Sequence, residues 1–228
     1  NMTWFFPQRM NNAIMLWAFL NGSIGLLIHF ITIKLLKSNK NKKFSIKILS
    51  ITIKELLLTT LLALVIFFIY FIILALVYYF FHVDYRLLFI GVRVFQVDVF
   101  YVWLMYLPVF FVFFFSNSVR VNCSIFHKGL TELKGMFFSG FATSIGLLII
   151  LFIQYVSFLF TGKIFWTETN LQWLYVNLLF GIVPMIFILP FFNRYIFNMT
   201  GRVYLGPMVT SFIFIMILSS NTVCYIPL

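Results

Sequence analysis

Acidic residues are scarce in this chain of 228 residues, which holds five of them against sixteen lysines and arginines. Charged residues of both signs make up only 9% of the sequence, whereas 63% of the residues are hydrophobic and 21% are aromatic. A water-soluble fold of this length could not cover so much apolar surface with so few charges. The composition therefore excludes an ordinary soluble domain and indicates an all-α, polytopic membrane protein.

The basic excess is typical either of a nucleic-acid surface or of the loops of a membrane protein. Aromatic and basic residues do not interleave in any segment of soluble composition. Nucleic-acid binding usually needs such a basic, solvated surface, so nucleic acid is not an expected partner. The expected partner is the lipid bilayer, whose proteins concentrate lysine and arginine in the loops on one side.

Cysteine and histidine are too few and too scattered to predict a metal site. Cys123 and His127 share a predicted loop, but two ligands do not make a zinc site, and His29 and His82 lie near other spans. Cys123 and Cys224 fall on opposite sides of the topology predicted below, which excludes an intrachain disulfide. We therefore expect no metal and no cofactor in this chain.

One short segment resembles a catalytic motif. The sequence ATSIG at residues 142–146 is a degenerate form of the nucleophile elbow, in which a strained strand-to-helix turn exposes a serine. Here the segment lies inside a long apolar run, so a strand-to-helix turn is not expected. The small residues Ser139, Gly140, Thr143 and Ser144 predict a close helix contact instead. No catalytic residue is expected in this chain.

Six apolar stretches approach or exceed the roughly 20 helical residues that cross a bilayer core. They lack the alternation of a β-barrel, and no linker or repeat divides them, so residues 1–228 are predicted to form one domain of about six transmembrane helices. The third and sixth stretches are short and are expected to extend into flanking polar residues. The predicted spans are 13–33, 56–81, 99–115, 136–160, 171–192 and 203–218.

The segment between the second and third spans is predicted to be a short interfacial helix at about residues 85–97. If Asp84 caps this helix, Arg86, Arg93 and Gln96 share one face of it. The arginines would then reach lipid headgroups at the outer surface. A more specific alternative is that Arg86 and Arg93 bind the headgroup of an anionic lipid or substrate.

The distribution of lysine and arginine among the loops predicts the orientation. The loops after the first, third and fifth spans hold twelve of these residues, and the opposite side holds four. Because basic loops stay in the cytoplasm, both termini are predicted to lie outside the cytoplasmic (inner) membrane. Arg202 is predicted to anchor a cytoplasmic loop. The twelve are seven lysines between residues 34 and 54, together with Arg120, Lys128, Lys134, Arg194 and Arg202.

No acidic residue lies inside a predicted span. Transporters that couple to protons or sodium generally place a carboxylate at membrane depth, so this absence argues against coupled transport. A permease or channel subunit would have to build its polar path from neutral groups such as Gln154, Ser157 and Asn177. The five acids are Glu55, Asp84, Asp98, Glu132 and Glu168.

Several segments resemble a known family. They are FPQRMNNAIMLWAFLNG at 6–22, VDYRLLFIGVR at 83–93, TGRVYLGPMV at 200–209 and the final CYIPL. These segments resemble the C-terminal membrane region of bacterial membrane-bound alpha/beta-hydrolases, and the likeness extends over most of the chain. The resemblance implies that a hydrolase domain with a serine nucleophile, an acid and a histidine precedes Asn1, so that this chain is a C-terminal fragment.

The leading hypothesis is therefore a membrane domain that anchors a serine-type hydrolase at the outer face of the cytoplasmic membrane. The domain would present a lipid-like ester or amide substrate. Two alternatives remain open from the sequence, a permease or channel subunit and a passive membrane scaffold.

Overall fold

The computed structural model describes residues 8–35, 51–81, 100–101, 104–126, 128–162 and 177–224. Within these residues the chain is all-helical and contains no strand. A π-helical turn (Asn177–Ile182) directly precedes the fifth of the six α-helices that the described residues form. The helices are α1 (Gln8–Leu35), α2 (Ile53–Phe81), α3 (Leu107–Phe126), α4 (Glu132–Thr161), α5 (Val183–Thr200) and α6 (Leu205–Cys224).

Helix α3 is the centre of the bundle and packs against α1, α4, α5 and α6, whereas α2 packs mainly against α6. Glycine brings α1 close to α3, because a Cβ atom at Gly22 would lie 3.0 Å from the Cα atom of Phe113. A mainly aromatic cluster fills the half of the bundle near the start of α3. Its buried members are Ala18, Phe110, Phe113, Phe114, Leu189 and Ile215.

Local sequence signals set several helix ends. Helix α2 begins with a capping box, in which the Thr52 backbone N–H donates to Glu55 Oε2 (3.0 Å) and the Glu55 N–H donates to Thr52 Oγ1 (3.4 Å). Helix α5 ends at Gly201, whose φ of 68° lies in the left-handed region that favours glycine. The start of α2 and the end of α5 therefore lie at charged residues, Glu55 and Arg202.

The third helix differs from its predicted span of 99–115. Residues 105–106 form a turn, and α3 then runs from Leu107 to Phe126, eleven residues beyond the predicted end. The expected extension into flanking polar residues is confirmed, but the predicted loop position of Arg120 is wrong, because Arg120 lies inside α3. The polar residues after Phe115 lower the local hydropathy and so suggest a loop, although they point into the bundle.

The remaining spans agree in position with helices. Helices α1, α2 and α4 contain the predicted segments 13–33, 56–81 and 136–160, and α6 begins two residues after the predicted start of the last span. Helix α5 continues to Thr200, past the predicted end at 192, which puts Arg194 inside a helix, and the predicted start of this span at 171 lies outside the described residues. The predicted interfacial helix at 85–97, with Arg86 and Arg93, lies outside the described residues.

Polar side chains are concentrated inside the bundle and apolar ones on its surface. Among the described residues, thirteen buried side chains are polar or charged, against sixteen that are apolar. Conversely, α1, α2 and α4 expose large apolar side chains along their length, such as Leu27, Phe68 and Phe152, each more than 60% exposed. Two of the described helices, α3 and α4, are long and apolar enough to cross a membrane.

Candidate functional site

A group of polar side chains lies between α1, α3, α4 and α5, and we call it the polar centre. Its α3 members follow helical spacing: Ser116 and Arg120 are one turn apart, and Asn117 is beside them. Each of the other three helices contributes one or two side chains at the same level. The polar centre comprises Asn21, Ser116, Asn117, Arg120, Ser139, Thr143 and Asn193.

Asn117 connects three helices through hydrogen bonds. Its Nδ2 donates to Thr143 Oγ1 (2.9 Å) and to Ser139 Oγ (3.3 Å) on α4. Its Oδ1 accepts from Asn193 Nδ2 on α5 (3.0 Å), and its backbone carbonyl accepts from Ser139 Oγ (3.1 Å). Because the Asn117 side chain is fully buried, these bonds satisfy an amide that would otherwise be costly to remove from water.

Small residues on α4 bring its hydroxyl groups within reach of Asn117. Ser139, Thr143 and Ser144 are almost fully buried, and a Cβ atom at Gly140 would overlap the backbone of Ile186 on α5. The close helix contact predicted from these four residues is therefore confirmed. The contact is specific, because any side chain at Gly140 would push the two helices apart.

Asn193 reaches the polar centre from α5, next to α6. Its Oδ1 is buried and accepts no hydrogen bond from the described residues. A Cβ atom at Gly206 would lie 2.7 Å from that oxygen, so the glycine leaves room for the amide. The Asn193 side chain is therefore held by its Nδ2 bond to Asn117 and by close packing against α6.

Arg120 is the charged member of the polar centre. Its Nη2 donates to Ser116 Oγ (2.9 Å) and to Asn21 Oδ1 (3.5 Å), and its Nη1 donates to Thr143 Oγ1 (3.5 Å). Gly25 on α1 makes room for the guanidinium, because a Cβ atom there would overlap Arg120 Nη2 and Ser116 Oγ. The half-buried arginine thus lies on α3 between α1 and α4.

The Arg120 side chain points toward the middle of α3. Long helical side chains lean toward the helix N-terminus, and the bond to Ser116, four residues earlier, follows this rule. Ser116 lies ten residues before the end of α3, about 15 Å along the axis. The guanidinium therefore sits near mid-helix and does not extend toward the nearer end of the bundle.

A second set of polar residues lies where α2 and α4 begin and α5 ends, and we call it the charged end. Arg194 Nη2 pairs with Glu132 Oε1 (2.9 Å), and Arg194 Nη1 donates to Asn122 Oδ1 (2.8 Å). Arg202, in the turn between α5 and α6, pairs with Glu55 Oε2 (2.9 Å). This ion pair joins Arg202 to α2, and its role as the anchor of a cytoplasmic loop stays a prediction.

The charged end also holds the Glu55 carboxyl, one residue before the predicted second span. Hydrogen bonds from the Thr52 hydroxyl and backbone N–H, and then the charge of Arg202, lower the pKa of this carboxyl from its ordinary value. A carboxyl whose pKa is lowered by folding stabilises the folded state at neutral pH. That contribution is lost as the pH falls through the lowered pKa.

The other residues singled out in the sequence do not extend the polar centre. Ser157 is half-buried on α4, whereas the side chains of Gln154 and Asn177 lie outside the described residues. Cys123 is buried in α3, and no group of three metal-binding residue types occurs in the described part of the chain.

Sequence reasoning missed Asn117, Arg120 and Asn193 as a group. One signal was present, since the polar residues at 116, 117 and 120 form a stripe at helical spacing. Their hydrogen-bond partners come from helices that are distant in sequence and could not be identified without the fold.

The two partners of the Arg194–Glu132 pair are expected to contribute unequally to the free energy of unfolding. Glu132 is 57% exposed, so Glu132→Gln should lower the free energy of unfolding by only about 0.5 kcal/mol. Arg194→Met should cost about 2 kcal/mol, because it leaves the buried Asn122 oxygen without its donor. Denaturant titration followed by circular dichroism measures both values, and equal effects would contradict this assignment.

No protein-family model, no curated protein and no solved structure matches this chain.

Proposed function

We propose that this chain is a membrane-embedded helical domain that anchors a serine-type hydrolase at the outer face of the cytoplasmic membrane. The observation that carries the membrane part is the distribution of polarity, with Asn117 and Arg120 inside and large apolar side chains on the exposed sides of α1, α2 and α4. Water would disfavour that exterior, whereas lipid favours it.

The helix contacts fit the same environment. In lipid, helices associate through close packing of small residues and through hydrogen bonds between polar side chains, because lipid tails are as apolar as leucine. Gly22 and Gly140 provide backbone approach to α3 and α5, and Asn117 and Asn193 provide the hydrogen bonds. Both features are expected of a bundle assembled in a bilayer.

The charged end supports the proposed orientation. Glu55, Glu132, Arg194 and Arg202 lie at the end where α1 leads into the lysine-rich segment at 36–50 and where α2 begins. Basic segments remain in the cytoplasm, so the proposal places this end there and the N-terminal end of α1 outside. A hydrolase domain that precedes Asn1 would then lie at the outer face.

The hydrolase assignment rests on the sequence resemblance. In a serine hydrolase, serine attacks an acyl carbonyl and an oxyanion hole stabilises the tetrahedral intermediate. These steps belong to the preceding domain, and this chain would hold that domain at the bilayer and present lipid-like substrate, with Arg86 and Arg93 as headgroup contacts. An in-frame Gly-x-Ser-x-Gly turn upstream of Asn1 would support the assignment, and its absence would contradict it.

Cysteine labelling tests the orientation. In a Cys123→Ala, Cys224→Ser background, we expect Thr161→Cys, at the exposed last residue of α4, to react with a membrane-impermeant maleimide in intact cells. Lys128→Cys, exposed at the charged end, should react only after the membrane is permeabilised. The opposite pattern would invert the proposed topology, and equal labelling of both sites without permeabilisation would contradict membrane embedding.

Two activity measurements distinguish the proposal from its alternatives. Replacing this domain in the full-length protein by an unrelated anchor should reduce hydrolysis of lipid-like esters while leaving hydrolysis of a small soluble ester unchanged. Unchanged activity on both substrates would support the passive scaffold. Solute flux across proteoliposomes that contain this chain alone would support the permease or channel subunit.

A further inference from the structure

Arg120 differs from the other two buried or half-buried arginines among the described residues. Arg194 and Arg202 each pair with a carboxylate at the charged end. Arg120 contacts two hydroxyl groups and one amide, all of them neutral, and no described carboxylate pairs with it. The structure thus holds a cation near the middle of the bundle without a counter-ion in the described part of the chain.

This arrangement leaves binding capacity on the guanidinium. The group has five N–H donors in a planar fork, whereas its three described bonds include two at 3.5 Å, which is long for a hydrogen bond. An arginine at apolar depth is costly unless an anion, a water-filled cavity or carbonyl groups compensate its charge. An anion at this position would therefore be bound favourably.

Arg120 is half-buried at the side of the bundle where α1 and α4 flank α3. Helices α1 and α4 both pack on α3 but contact each other only slightly. Gly25 lets the guanidinium lie close against the backbone of α1. The outer faces of both helices are apolar, with Ile24 on α1 and Ile145 on α4 about half exposed.

We propose that Arg120 binds the carboxylate or phosphate head of a single-chain amphiphile where α1 and α4 flank α3. The guanidinium fork matches both oxoanions in bidentate geometry. The hydroxyl of Ser116 lies beside it as a further donor, and the apolar faces of the two helices accommodate the alkyl chain of the amphiphile. The proposal rests on the proposed membrane embedding and does not depend on the hydrolase assignment.

Binding to the full chain in nanodiscs of zwitterionic lipid tests this site. The probes are dodecanoate, dodecyl phosphate and the neutral dodecanol, measured by titration calorimetry. The wild type should bind one or both anions, and Arg120→Met should weaken that binding roughly thirtyfold, as expected for loss of a desolvated charge pair. Arg120→Lys, which keeps the charge but not the fork, should fall between the two.

A second variant changes the site without removing the charge. Gly25→Ala places a methyl group where Arg120 Nη2 and Ser116 Oγ now lie, so it should weaken anion binding. Gly181→Ala is the matched control, because a Cβ atom there meets no atom within 4 Å, and it should bind like the wild type. Circular dichroism confirms that each variant is folded before binding is measured.

The outcomes separate the sources of the anion. Binding of dodecanoate alone identifies a carboxylate amphiphile, and binding of dodecyl phosphate alone identifies a phospholipid-type head. Equal binding by Arg120→Met, or equal binding of dodecanol, would overturn the site. A counter-ion within the chain would also overturn the site. It would be identified if Asp84→Asn, Asp98→Asn or Glu168→Gln lowered the stability of the wild type but not that of the Arg120→Met variant. A chain that stays in the aqueous fraction without lipid or detergent would overturn the membrane proposal and this site together.

Discussion

Gly140→Ala should lower the free energy of unfolding by about 3 kcal/mol, at the upper end of the usual cost of overpacking a core. The added methyl group would occupy the position of the Ile186 backbone, and a backbone segment within a helix cannot move aside as a flexible side chain can. Helices α4 and α5 would have to separate, which would also lengthen the bonds that Asn117 donates to Ser139 and Thr143. Titration of the purified chain from a mild detergent into sodium dodecyl sulfate, followed by circular dichroism, measures the loss.

Gly181→Ala is the control for this prediction. It makes the same chemical change in the turn just before α5, but at a position where the Cβ atom meets no atom within 4 Å. We expect its free energy of unfolding to equal or slightly exceed that of the wild type, since alanine restricts the unfolded chain more than glycine does. If Gly140→Ala were as stable as Gly181→Ala, the close approach of α4 and α5 would be wrong.

Asn117→Leu should have the second largest effect, a loss of about 2.5 kcal/mol in the free energy of unfolding. Leucine has the same number and branching of side-chain heavy atoms, so most of the cost comes from polar groups left without partners. The Nδ2 of Asn193 would lose its acceptor, and the hydroxyls of Ser139 and Thr143 would each lose a bond from Asn117. A fully lipidic surrounding makes an unpaired group more costly, although hydrogen bonds between membrane helices average only about 0.6 kcal/mol.

Ser124→Ala provides the contrast. Ser124 is also buried in α3, but its Oγ has no hydrogen-bond partner among the described residues. Removing this hydroxyl should leave stability unchanged or raise it by up to about 1 kcal/mol. A loss as large as that of Asn117→Leu would show that the polar residues of α3 stabilise the fold through burial alone and not through hydrogen bonds to other helices.

A double-mutant cycle isolates the bond between Asn117 and Asn193. The Asn117→Leu and Asn193→Leu variants should not be additive, because each already breaks the same 3.0 Å hydrogen bond. We expect a coupling energy of roughly 1 kcal/mol in the unfolding titration. Additive effects would mean that the two amides stabilise the bundle independently.

Several features were predictable from local sequence. Long apolar runs predicted α1, α2 and α4 at the right positions, because a run of this length is best satisfied as a helix with all its backbone groups paired. The small residues around Gly140 predicted a close contact, since small side chains let backbones approach.

The extent of α3 was not predictable in the same way. Hydropathy falls after Phe115, so a linear reading ends the span there and assigns Arg120 to a loop. The helix continues because Asn117 and its neighbours find hydrogen-bond partners on α1, α4 and α5. Polarity marks a loop only when the polar groups must reach water, and here they are satisfied by other helices.

Composition and apolar run length by themselves determined the class of this protein, a helical bundle with no acid inside its predicted spans. Only the tertiary structure decided which polar residues lie together, that Arg194 and Arg202 have carboxylate partners and that Arg120 has neutral ones. The physical reason is that the two properties depend on interactions of different range along the chain. The tendency to form an apolar helix is a property of neighbouring residues, whereas the energy of a buried charge depends on atoms supplied by helices far apart in the chain.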